Sequence, residues 1–245
     1  QNYLDTLTDK LKKAENDSVK IELYFKTISK KRTNQTTRDS LFIILNTNFQ
    51  KNCFNNSYIP FKIGQYYESR SADESIRYYL EALREAEKCN NHAGISRAFN
   101  RLGRVNIRQK NYKSAINYLH NSIHHCNKCS NVYDLSESFT LLGTIYKNTD
   151  LIDSSLYYHN KSLEIRLKLG DKKLISLTYN NIALAYKKLK KFDLSLNYLY
   201  KAYDLVLVLK DNKGSATLNN NLCNVYRSLK KYQEAITRGI MARDT

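Results

Sequence analysis

The chain has 245 residues, 42% of them hydrophobic, with 20 tyrosines, one proline and no tryptophan. That mixture is too apolar for a disordered chain, and no window nears the 18 uninterrupted apolar residues that suggest a membrane span. Forty basic against 23 acidic side chains leave a formal charge of +17, which fits an anionic partner but fits better a lysine-coated helical surface that keeps an apolar array in solution.

The N-terminal 55 residues hold two amphipathic stretches, "LDTLTDKLKKAE" and "SVKIELYFKTISKK", and a third, "TTRDSLFIILNTNFQ", that reads as a second helix with Thr36, Thr37 or Asp39 near its start. They read as a leading helix plus one degenerate repeat that caps the apolar end of a downstream array. From residue 56 onward the chain repeats itself every 40 residues. One column holds Ser75, Ala115, Ser155, Ser195 and Ala235, and another holds Ala82, Ser122, Ser162, Ala202 and Ala242. Tyr78, Tyr118, Tyr158 and Tyr198 recur between them, with Arg238 in the fifth place. In the preceding helix, Leu102, Leu142, Ile182 and Leu222 align, followed by Gly103, Gly143, Ala183 and Cys223. Tyr66, Tyr146, Tyr186 and Tyr226 form a further column, interrupted by Asn106. Small residues in register with large ones are what two antiparallel helices need to approach closely, so these columns read as core rather than as catalytic groups.

A helical hairpin cannot bury its apolar face alone, so repeated hairpins stack, each forming the wall of the next. The expected fold is all-α, an α-solenoid of stacked antiparallel helix pairs with 12–13 helices of about 17 residues and about 25 Å each. The expected boundaries are an N-terminal region over 1–55 and an array over 56–245, divided near 56–90, 91–130, 131–170, 171–210 and 211–245. The last helix ends at "RDT" with no polar capping helix after it. Such an end predicts self-association or a further segment of protein.

The pattern resembles the tetratricopeptide repeat: Phe139, Leu142, Gly143 and Tyr146 in one first helix, and Tyr179, Ile182, Ala183 and Tyr186 in another. Phe192, Ser195 and Ala202, like Tyr232, Ala235 and Ala242, fit the second helix. The period departs from the family's usual 34 residues, and the proline after the second helix is missing. The resemblance implies a right-handed superhelix whose first helices line a concave groove. It also implies a sensory or regulatory segment of a bacterial signalling protein, cytoplasmic or periplasmic; the residues themselves assign no compartment.

The first-helix residues not spent on packing would line that groove: Arg97, Asn100, Arg101, Arg104 and Arg108; Thr140, Thr144 and Lys147; Asn180 and Lys187; Asn220, Asn224 and Arg227. A carboxamide offers a donor and an acceptor, so an asparagine column can track an extended peptide backbone. It can also simply tolerate a crowded, half-exposed helix face. The arginines suit a carboxylate, from an acidic side chain or a free C-terminus, unless an internal acid such as Glu137 answers them. A peptide or protein partner is therefore the leading expectation, with a passive assembly scaffold as the alternative and salt-sensitive nucleic-acid binding along the turn lysines behind both.

Other signals are weaker. The five cysteines are odd in number and widely spaced, unlike a disulfide framework, and a Cys89–Cys129 bridge has no support. "HHCNKC", His124 to Cys129, contains a CxxC, but no second CxxC exists and its two histidines face different sides of a helix. No metal, cofactor or catalytic group is expected, since phosphate loop, nucleophile elbow and converging acid–histidine pair are all missing from the sequence.

Overall fold

The computed structural model describes residues 7, 9–29, 35–49 and 53–244. Among them twelve helices are bounded: α1 (Asp17–Ile28), α2 (Gln35–Phe49), α3 (Cys53–Tyr67), α4 (Ala72–Lys88), α5 (His92–Arg108), α6 (Tyr112–Cys129), α7 (Val132–Asn148), α8 (Ile152–Leu169), α9 (Lys172–Lys188), α10 (Phe192–Val208), α11 (Asn212–Ser228) and α12 (Tyr232–Arg243). Residues 9–12 are also helical, and no strand occurs among the described residues. Residues 1–6, 8, 30–34, 50–52 and 245, which include parts of all three N-terminal stretches, lie outside them. The fold is all-α, built of stacked helix pairs. Contacts divide the chain into two units, Gln1–Ser130 and Asn131–Thr245.

The turns obey a rule finer than the 40-residue period. Asn90, Lys110, Ser130, Asp150, Gly170, Lys190, Lys210 and Lys230 all have positive φ, between 50° and 68°. Each ends a helix in the left-handed conformation, so first-to-second and second-to-first turns are built alike, 20 residues apart. The closing hydrogen bonds recur: Asn91 N–H donates to Ala86 O, Asn111 to Asn106 O, Leu151 to Tyr146 O and Lys191 to Tyr186 O. This is the Schellman closure, and the residue that donates in it is also the N-cap of the next helix. Only Gly170 adopts the conformation free of Cβ strain.

Helix starts divide into two kinds. Asn91, Asn131, Asp171 and Asp211 cap α5, α7, α9 and α11, each accepting a hydrogen bond from the backbone N–H three residues on. By contrast α6, α8, α10 and α12 begin at Asn111, Leu151, Lys191 and Lys231 with no side-chain cap. These four second helices therefore owe their position to packing, whereas α4 is capped by Ser71, whose hydroxyl accepts from Glu74 N–H.

That packing is a size match repeated within each hairpin. A Cβ added at Gly64 would stand 2.8 Å from Tyr79, at Gly103 2.8 Å from Leu119, and at Gly143 2.6 Å from His159. Ala183 takes the same place in the cluster that contains Leu199. In the last hairpin the sizes swap: Cys223 is on the first helix, and a Cβ added at Gly239 on the second would stand 3.8 Å from its Sγ. The small serines also bond across helices. Ser75 and Ser195 hydroxyls donate to Gly64 O and Ala183 O, and Ser122 and Ser162 to Ser96 O and Ser136 O. Where the last column changes to Ala202, the direction reverses, and Ser176 donates to Ala202 O.

In the first unit α1, α2 and α3 share a core of Ile21, Phe25, Ile28, Leu45, Ile59 and Ile63. A second core, with Tyr79, Ala86, Ile95 and Leu102, joins α3, α4 and α5. In the second unit Leu199, Val206, Leu218 and Leu222 fasten α10 to α11. Tyr66 is buried, but the other tyrosines of the two columns are not. They pair as half-buried stacked rings, Tyr146 on Tyr158 at 5.3 Å and Tyr186 on Tyr198 at 5.6 Å. Arg238, in the column's fifth place, lies instead over the rings of Tyr200 and Tyr203.

One buried charge joins three helices of the second unit. Arg166, fully buried on α8, stands in the column of Ala86, Cys126 and Val206. Its guanidinium donates to Glu137 Oε2 at 2.8 Å and Ser136 Oγ on α7, and to Thr178 Oγ1 at 2.8 Å and Leu174 O on α9. These partners, which offset the desolvation of that cation, come from the two helices α8 packs against.

Candidate functional site

The arginines of α5 do not stand ready for a ligand as their spacing suggests. Arg101 Nη1 lies 3.4 Å from Glu68 Oε1, and Arg108 pairs with the other oxygen at 3.5 Å and donates to the Glu68 carbonyl at 3.0 Å. Tyr79 also donates its hydroxyl to Glu68. Arg97 and Arg101 lie beside the Phe61 ring. The internal acid that answers the cluster is Glu68, contributed by the end of the preceding first helix. Glu137 is bound to Arg166 instead.

The asparagine column also splits. Asn100 is 2% exposed and Thr140 5%, so both belong to helix packing. Thr140 shares a hydrogen bond with Ser162 and donates to Ser136 O. Thr144 is half-buried and bonded to Thr140 O, while Arg104 and Lys147 are half-buried. Burial, followed by the charge of Lys188, pushes the Lys147 ammonium below its usual range. Asn180 and Lys187 on α9 are half-buried, whereas Asn220, Asn224 and Arg227 on α11 are exposed. Asn180 Oδ1 accepts from Asn221 Nδ2 at 2.7 Å, which fixes its carboxamide across the two first helices. In the second unit the surface strip is therefore Thr217, Asn220, Asn224 and Arg227, with Asn180 beside it.

A pocket of about 360 Å³ opens beside this strip between α9 and α11. Leu177, Val206 and Leu218 supply apolar wall, Asn180 and Thr217 the polar edge, and Lys173 and Lys213 flank it. Leu177 is 47% exposed, which is costly for an apolar side chain with nothing against it. Gly214 allows the opening to be built. A Cβ there would stand 2.9 Å from both Val206 Cγ1 and the capping Asp211 carboxylate.

The first unit holds the corresponding pocket, about 170 Å³, between α3 and α5. Phe54, Ser57, Asn91, Gly94 and Arg97 occupy the places that Leu174, Leu177, Asp211, Gly214 and Thr217 hold three repeats further on. Gly94, like Gly214, is the third residue of a capped first helix, where the two intervening repeats have Asp134 and Leu174. The sequence contains this signal in its two glycines, but nothing in it separates them from turn glycines.

Chemistry elsewhere is sparse. Cys129 and Cys223 are free thiols, Cys126 is buried, and Cys89 takes part in a disulfide. No helix among the described residues is long and apolar enough to cross a membrane.

Stacked hairpins with small-to-large columns define a helical repeat protein. A tetratricopeptide repeat family model matches residues 177–205, which span most of α9 and α10. Known structures share the fold over nearly the whole chain. The apo form of RapI superposes with a TM-score of 0.70 at 13% identity, covering 91% of this chain and 96% of that one. The Rap conjugation gene regulator of plasmid pLS20, in complex with the Phr* peptide, gives 0.67 at 16%, covering 99% and 73%. The STAND protein PH0952 of Pyrococcus horikoshii, which has a tetratricopeptide repeat sensor, gives 0.72 at 15%, covering 93% and 38%. Among curated protein sequences none matches. The chain has a tetratricopeptide-like helical repeat fold.

Proposed function

We propose that this chain is a non-catalytic binding module for an extended peptide or protein segment, serving as the sensory or regulatory part of a signalling protein. The observation that carries this reading is the α9–α11 pocket, an apolar hollow with a fixed carboxamide at its edge. A bulky apolar side chain of the ligand fills the hollow, while Asn180 and the exposed Asn220 and Asn224 bond to its backbone. Lys187 and Arg227 extend the same strip and favour acidic residues beside the anchor. The arginines of α5 contribute less, because Glu68 already occupies two of them. The likeness to a Rap regulator that holds a Phr* peptide adds support at the level of the fold.

The test is selection of peptides from a random library on the full chain, followed by affinity measurement with two variants. Enriched peptides with a recurrent apolar residue should bind Leu177→Glu and Asn180→Ala at least about tenfold more weakly, a loss of ~1.4 kcal/mol. Peptides that bind both variants as tightly as the parent chain place the site elsewhere. A library that yields no binder removes the reading.

A second reading, self-association, has its own observation. Tyr232, Ile236 and Ile240 form an exposed stripe on α12, although the counterparts of Ile236, namely Ile116, Leu156 and Leu196, are half-buried. Sedimentation at increasing concentration separates the two readings, since a strictly monomeric chain rejects the scaffold.

A further inference from the structure

The described residues contain no group of three or more histidine, cysteine or acidic side chains able to enclose a metal ion. One pair nonetheless has the geometry of two adjacent ligands. His92 opens α5 and His125 lies in the last turn of α6, and their Nδ1 atoms face each other at 3.0 Å. Both rings are half-buried, 5.1 Å apart between centroids and inclined by 48°, and exposed His124 stands edge-on to His125 at 5.2 Å. Neither position belongs to a packing column. His92 aligns with Val132, Lys172 and Asn212, and His125 with Ile165 and Leu205. The hairpin fold does not itself require imidazoles here.

Imidazole nitrogens bind divalent ions at about 2.0–2.1 Å. Two of them at right angles stand about 2.9 Å apart, and at a tetrahedral angle about 3.3 Å. The observed separation falls between these values and near the first. We propose that His92 and His125 form a chelating site for a divalent ion of the nickel, copper and zinc group, bound through both Nδ1 atoms with solvent in the remaining positions.

Without the ion, one ring donates its Nδ1 proton to the other's lone pair. Binding transfers that proton through solvent to Nε2 of the same ring, which leaves two lone pairs for the ion and releases no net proton from the neutral pair. Burial, His92, His124 and Lys128 all hold the His125 imidazolium below its ordinary range. Lys128 opposes the incoming cation, which limits affinity. The Cys129 thiol bonds to His125 O and takes no part.

The test uses the full, tag-free chain titrated calorimetrically with Ni2+. One saturable site is expected, weakened at least about tenfold by His92→Ala and by His125→Ala, and unchanged by Cys129→Ser. No saturable binding, binding retained in both histidine variants, or binding lost in Cys129→Ser overturns the proposal. If circular dichroism shows the alanine variants unfolded, imidazole nitrogen spectra of the parent chain decide. Adding Zn2+ should convert the Nδ1–H ring to the Nε2–H form already held by the other, and an unchanged tautomer pattern rejects the site.

Discussion

His159 fills the notch that Gly143 leaves in α7, with its Cε1 only 2.6 Å from where a Cβ at that glycine would stand. The ring is fully buried, and neither of its nitrogens has a hydrogen-bond partner. Adding the methyl in Gly143→Ala should cost about 1–3 kcal/mol through overpacking. Replacing the ring by the residue found at 119 and 199, His159→Leu, should instead stabilise by about 1–3 kcal/mol, because an unpaired buried polar group disappears. Urea unfolding of both variants checks the opposite signs.

The same ring makes stability depend on pH. Burial first, then the charges of Lys147 and Arg166, lower the His159 pKa from 6.5 to about 3 in the folded chain. Between these values the unfolded chain binds a proton that the folded chain refuses. Stability is therefore full above about pH 6.5 and falls as pH drops toward 3, by up to about 1.4 kcal/mol per unit. His159→Leu should flatten the pH dependence of the urea midpoint between pH 4 and 6.5. An equally steep profile in that variant would assign the acid sensitivity to other groups.

The uncapped second helices offer a stabilising change. Lys191 stands at the N-cap of α10 with no side-chain bond, and its charge opposes the positive end of the helix dipole. Lys191→Asp should gain about 0.5–1 kcal/mol, as Asp171 and Asp211 already do for α9 and α11. A higher thermal midpoint with unchanged helix content is the expected result.

Arg166 is a clamp whose removal leaves several groups stranded. Arg166→Ala should destabilise by about 3–5 kcal/mol, since Glu137, Ser136 and Thr178 lose a partner while the cavity remains. Arg166→Met should cost less, because it keeps volume in a column otherwise held by Ala86, Cys126 and Val206. Chemical unfolding of the two variants separates the lost charge pair from the lost volume.

The helix pairs were legible because size columns must repeat wherever hairpins stack. Ser75, Ser155 and Ser195 with Gly103 and Gly143 give the period away without any structure. The half-period of the turns was not legible, since Asn, Lys, Ser and Asp occupy seven of the eight left-handed positions and only Gly170 announces its conformation. Contacts between successive helices escaped for a different reason. Glu68 reaches Arg101 and Arg108, and His92 meets His125, across 33 or 40 residues with no recurring partner to align. The asparagine column was visible, but burial at that position changes along the array, closing over Asn100 and Thr140 while leaving Asn220 in the open.

Identical turns make this chain a kit of interchangeable parts. Gly170 and Lys210 end their helices in the same backbone conformation, and Asp171 and Asp211 each open the next with the same cap. The segment 171–210 can thus be copied in tandem with a left-handed residue and an aspartate cap at the joint, both of which the chain already uses. Lengthening such a protein is then a matter of duplication alone, and side-chain compatibility between neighbouring hairpins, such as the grip of Arg166 on Thr178, becomes what limits which copies can stand next to each other.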